Sequence, residues 1–91
     1  MALTKETIVD KIEVLEKGQV QVRTATRVLE DGVQLSSSYH RHVVEPSTKA
    51  SGSWADTDIS GEDARVQAIA TATWTSAVKS AYQEMIDAQE L

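Results

Sequence analysis

Asp31-Gly32 is the feature that most narrows what this 91-residue chain can become. Both central residues of a two-residue type I′ turn need positive φ, and Asp-Gly is among the few dipeptides that accept it. On either side, over Val20 to Leu29 and Val33 to Val44, β-branched residues recur at every second position, as in a strand with one buried face. An antiparallel hairpin follows, and with it a register: Glu30 opposite Val33, Val28 opposite Leu35, Thr26 opposite Ser37, Thr24 opposite Tyr39, Val22 opposite Arg41 and Val20 opposite Val43. One face of this hairpin is then apolar, with Tyr39 in its centre and Arg41 near it. The other carries Gln21, Arg23, Arg27, Gln34, Ser36, Ser38, His40 and His42, a polar surface with a local positive bias.

A third alternating segment, Ile8 to Leu15, precedes the turn residues Glu16-Lys17-Gly18. A two-residue loop at Lys17-Gly18 would set Ile12 opposite Arg23 and Val14 opposite Gln21, putting apolar side chains on the polar face. A three-residue loop with Gly18 in the left-handed conformation of a G1 bulge instead pairs Val14 with Val20, Ile12 with Val22 and Ile8 with Thr26. Burial selects the second arrangement, a three-stranded antiparallel β-meander over residues 8–44. Lys11 and Glu13 then join Gln21 and Arg23 on the polar face.

Residues 45–61, with Pro46, Gly52 and Gly61 among serines, read as a loop long enough to carry function. Residues 62–89 read as helical. Ser60 and Asp63 have the spacing of a capping box, and Ile59 is placed to staple onto Ala64. Val66, Ile69, Ala70 and Thr73 form one stripe at helical spacing, and Ala77, Val78, Ala81, Tyr82, Met85 and Ile86 form another. Thr71, Thr73 and Thr75 lower helix propensity between them, leaving one bent helix or two short ones, with Thr75 as cap of the second. Laid over the apolar sheet face, these helices complete a two-layer α+β domain spanning residues 1–91.

The chain has no Phe, two Trp and two Tyr, so its core rests on small aliphatic side chains. A domain of this size buries a modest fraction of its surface, which makes self-association an expectation. The absence of Cys removes disulfides and thiolate chemistry. A net charge of −5 argues against a nucleic-acid partner, since phosphate neutralisation needs clustered Lys and Arg. No stretch approaches the roughly 20 apolar residues of a membrane-spanning helix. Lys5 and Glu6 interrupt any apolar run near Met1, so no signal peptide is expected and synthesis in the cytoplasm is.

His40-x-His42 would point two imidazoles to one side of a strand, the geometry of a metal site. No third ligand follows at a telling spacing, and neighbouring Arg23 disfavours a cation, so a solvated or interfacial histidine pair is the reading adopted. Asp56, Asp58, Glu62 and Asp63 lack the EF-hand pattern and suit a helix N-terminus better than a calcium loop. No nucleophile with a partnered base and no glycine-rich phosphate loop is present, so neither an enzyme nor a bound cofactor is expected. Trp54 stands in the Ser/Gly-rich loop, either folded back onto the domain or anchoring a partner; Trp74 reads as core or as a plug between the helical segments. The two sheet edges invite pairing. Arg23, Arg27, His40, His42, Arg41 and Trp54 are therefore the candidate contact residues, for a homo-oligomer or a larger assembly.

The runs Met1 to Lys5, Asp10 to Val14, Gln19 to Thr26, Glu30 to Gly32, His40 to Val43 and Glu62 to Val66 together resemble a family of short proteins of tailed phages, especially those of aquatic bacteria. The segment between Pro46 and Ile59 is longer here than in that pattern. The resemblance implies a non-catalytic component of the virion or of its assembly, located in the virion and touching other virion proteins or copies of itself. Tail, fibre and capsid surface are the placements it allows. A small host-directed or regulatory binding protein made during infection is the alternative.

Overall fold

Three tight turns with left-handed residues organise the first 56 residues of the computed structural model, which describes residues 2–89. Strand β1 (Leu3–Val14) turns into β2 (Val20–Glu30) through Gly18 at φ 89°, with Leu15 N–H donating to the Gln19 carbonyl at 2.9 Å. Strand β2 turns into β3 (Val33–Val44) at Asp31 (φ 50°) and Gly32 (φ 83°), the positive-φ pair of a type I′ turn. The third turn, Ser51 (φ 52°) and Gly52 (φ 80°), joins two short strands, β4 (Ser47–Ala50) and β5 (Ser53–Asp56). The last hairpin lies inside the segment expected to be a loop. Four-residue strands are too short for alternation to stand out among the serines and glycines of that segment. The expected limits of the domain include residues 1, 90 and 91, which lie outside the described residues.

β1, β2 and β3 form an antiparallel sheet in the order β1-β2-β3, and helices α1 (Ala64–Thr73) and α2 (Ser76–Gln89) follow. The architecture is thus α+β with a meander and two C-terminal helices. Val14 faces Val20 and Ile12 faces Val22, as the three-residue loop requires. Two one-residue irregularities then alter the pattern. Between Val9 and Lys11 the pairing skips Asp10, so Ile8 faces Ala25 and not Thr26. Between Val28 and Leu29 it skips Leu35, so Val28 faces Ser36, Thr24 faces His40, Val22 faces His42 and Val20 faces Val44.

That second bulge corrects the expected register of β3 from residue 35 onward. A one-residue shift exchanges the two faces of a strand. Val44 (6 % exposed) takes the core position expected for Val43, which is 52 % exposed, and Tyr39, expected in the core, is half exposed. The physical gain is at Arg41: an unshifted strand would have buried its guanidinium opposite Val22, and the shift carries it into solvent.

Val20, Val22, Val44 and Val66 make the buried cluster, with Val9, Ile12, Ile59 and Trp74 packed around it. Asp63, not Ser60, caps α1, its carboxylate accepting the Arg65 N–H at 2.8 Å. The helices part at Trp74-Thr75, and Thr75 Oγ1 accepts the Val78 N–H at 3.3 Å. Trp74 fills the gap between helices and meander, donating its indole N–H to the Gly18 carbonyl at 2.7 Å.

The sheet outruns its helical cover. All nine residues from Val33 to Arg41 and all of Leu3 to Ile8 are exposed. The molecule measures 58 × 26 × 23 Å with a radius of gyration of 17.0 Å, against about 12 Å for a compact chain of this length.

Candidate interaction surfaces

Two of the six candidate residues, Arg23 and Arg27, lie on the sheet face turned away from the helices, where alternation placed them. The β3 bulge brings Arg41 to the same face and takes His40 and His42 off it. Arg23 is held by a residue that the sequence did not single out. The bulge in β1 sets Asp10 beside it, and its Nε and Nη2 donate to Asp10 Oδ1 and Oδ2 at 2.9 and 2.8 Å. This bidentate pair sits with its guanidinium 4.5 Å from the centre of the Tyr39 ring. The hydrogen bond from Arg23 holds the Asp10 carboxyl below its ordinary value, and Asp10 in turn raises Arg23. Nothing local in the sequence marks Asp10, because a bulge leaves no trace in periodicity.

Around this pair, Arg27 Nη1 stands 3.8 Å from Glu6 Oε2, and Lys11 Nζ 2.7 Å from Glu13 Oε1. Lys11, Glu13, Gln21, Arg23, Arg41 and Val43 line a shallow concavity of about 270 Å³. Ile8, Ala25 and Tyr39 lie side by side across the three strands next to it. The open face therefore combines a fixed Arg–Asp–Tyr centre with an exposed Arg41 and partly exposed apolar side chains.

On the helix side, the His40 and His42 rings stack with centroids 6.2 Å apart, and His42 Nε2 is 2.7 Å from Glu62 Oε1. His42 thus tethers β3 to the chain leading into α1. Among the described residues no group of three or more His, Cys, Asp or Glu is placed to hold a metal ion.

Trp54, on β5, is folded back onto α2, the first of its two expected alternatives. Its ring meets the buried Tyr82 edge-on at 6.1 Å, and Lys49 lies 5.5 Å from its centre. Lys49 Nζ also bonds Asp87 at 2.9 Å, and Lys79 bonds Asp56 at 2.9 Å, so the small hairpin is strapped to α2 by ion pairs. The hydrogen bond from Lys49 holds the Asp87 carboxyl low. Burial, then a hydrogen bond with Glu45, pushes the Tyr82 phenol up to about 12.

The edges of the sheet differ. Arg65 of α1 donates to the Val9 carbonyl on β1, and charged Lys5, Glu6, Lys11 and Glu13 line that strand. β3 holds no Lys, Asp or Glu, and its exposed stretch is Val-Gln-Leu-Ser-Ser-Ser-Tyr-His-Arg. Charge is divided as well: residues 1–44 hold six acids and six Lys or Arg, whereas residues 45–91 hold eight and three. Among the described residues no helix is long and apolar enough to cross a membrane.

Comparison with protein-family models, with curated proteins and with solved structures gives no match to this chain.

Proposed function

We propose that this chain is a non-catalytic structural or assembly protein of a tailed-phage virion, associated with the tail or fibres or decorating the capsid. It acts by repeated protein–protein contact through the meander. The observation that carries the reading is the bare half of the sheet. A three-stranded sheet needs a second layer to bury its apolar side chains, yet Leu3, Val33, Leu35 and Tyr39 are each at least half exposed, beyond the reach of the helices. A partner that lies along the meander would supply that layer.

The character of the face supports contact rather than chemistry. Four of its ionisable groups are held in ion pairs, Arg23 with Asp10 and Lys11 with Glu13, an arrangement that fixes side chains for docking. Exposed aromatic and arginine side chains, here Tyr39 and Arg41, are the types that anchor interfaces. The resemblance to short tailed-phage proteins supplies the setting, since virions are built from small domains in many copies.

Mass spectrometry of purified particles from an infected culture tests this directly. The protein is expected in the particle at a fixed multiple of a known tail or capsid component. Its absence from particles, with early synthesis and a stable complex with one host protein, would replace the reading with that of a host-directed binding protein.

A further inference from the structure

We infer that β3 is a self-pairing edge: two copies of the chain join antiparallel along Val33 to Arg41, about a two-fold axis at Ser37, to form a six-stranded sheet. This deepens the reading of the bare meander as a contact surface by naming one occupant, a second copy.

Exposure selects the strand. An edge offers a row of backbone donors and acceptors to any other strand, and proteins that stay monomeric block it with charges or by covering it. β1 is blocked in both ways, by Lys5, Glu6, Lys11 and Glu13 along it and by the Arg65 hydrogen bond to Val9. β3 is not. Its nine consecutive exposed residues hold one formal charge, at Arg41, and their midpoint is Ser37.

Charge selects the geometry. Two copies meeting through the helical layers would oppose surfaces rich in carboxylates, whereas residues 1–44 are neutral as a set. A two-fold axis at Ser37 places the small residues Ser36, Ser37 and Ser38 at the centre. It keeps the two copies of Arg41 at opposite ends, each beside the partner's Asp31-Gly32 turn, where Asp31, whose Oδ1 accepts the Ala2 N–H at 3.1 Å, offers its second carboxylate oxygen. An axis nearer Arg41 would oppose the two guanidinium groups. Tyr39 and Leu35, 50 % and 57 % exposed, come opposite each other across the join, Tyr39 of one copy against Leu35 of the other.

The pairing is testable because only a two-fold axis puts a residue opposite itself. Facing Cα atoms in an antiparallel pair lie about 4.5–5.5 Å apart, inside the range a disulfide spans. The chain has no Cys, so one introduced thiol is unique. The experiment measures the mass of the purified full chain by light scattering over a concentration series, with Ser37→Cys and Thr4→Cys under mild oxidation and Ser37→Lys. The expected results are a concentration-dependent dimer, a covalent dimer of Ser37→Cys formed at least tenfold faster than that of Thr4→Cys, and loss of the dimer in Ser37→Lys with unchanged circular dichroism. A monomer at every concentration, a dimer that Thr4→Cys and not Ser37→Cys traps, or a dimer that survives Ser37→Lys would overturn the proposal. None of these results bears on whether the protein is in the virion, so the two readings fail separately.

Discussion

Replacing Gly18 by alanine forces two separate problems into one residue. Its φ of +89° lies where an L side chain meets the following carbonyl, a conformation that disfavours a non-glycine residue by about 1–2 kcal/mol. A Cβ built there also stands 2.5 Å from Val78 Cγ1 and 3.1 Å from Pro46 Cγ. Relief requires α2 to move away from the β1–β2 turn, and Trp74, whose indole is bonded to the Gly18 carbonyl at 2.7 Å, must move with it. Overpacking of this kind costs about 1–3 kcal/mol, so Gly18→Ala should destabilise by roughly 2–5 kcal/mol. At about 4–8 °C per kcal/mol, that is a fall in Tm of at least about 8 °C. Gly32→Ala is the control: its φ is +83°, but a Cβ there meets nothing within 4 Å. Both variants share the backbone penalty and the loss of unfolded-state freedom, so the difference between them isolates the packing of helix against turn. Urea unfolding followed by tryptophan fluorescence measures both. Equal losses in the two variants would refute the claim that α2 is seated on Gly18.

Val44→Ala is expected to cost about 2 kcal/mol, two buried carbons plus a residual cavity, whereas Val43→Ala should stay within about 0.5 kcal/mol of the parent; the opposite order in chemical denaturation would restore the unbulged register. Asp10 has a lowered carboxyl in the folded state, so its contribution is present above the ordinary carboxylate range and is lost as pH falls below that range through the lowered folded-state value. Asp10→Asn should therefore flatten the acid limb of the Tm-against-pH curve and lower Tm at neutral pH, and an unchanged acid limb would mean that the Arg23 pair is not held in solution.

Much of the meander was legible because its determinants are local. Asp31-Gly32 and Gly18 need positive φ wherever they sit, and a three-residue loop was the only one that gathered Val14, Ile12, Val20 and Val22 on one side. Thr75 as cap of a second helix, and Arg23 with Arg27 on a common open face, followed from similar short-range reasoning. The bulges at Asp10 and Leu35 did not, since either strand could continue its alternation unbroken. What selects a bulge is a comparison of whole faces: Val44 or Val43 against Val66, and Arg41 in the core or in water. That comparison exists only once the helices are in place.

The candidate site divides along the same line. Residue types suited to contact were visible in sequence: two arginines on one strand, a histidine pair, a tryptophan among serines. Their grouping was not. Tertiary packing moved His42 onto Glu62, laid Trp54 against Tyr82, and put Tyr39, Arg41 and the Asp10 carboxylate on the open face where His40 and His42 were expected. Sequence by itself determined where the meander turns and which of its strands pair, because a turn is decided by a few adjacent residues. Only the tertiary structure decided which face each residue of β3 looks out from, because one extra residue in a ladder reverses every side chain beyond it and only burial across the whole sheet sets where that residue goes.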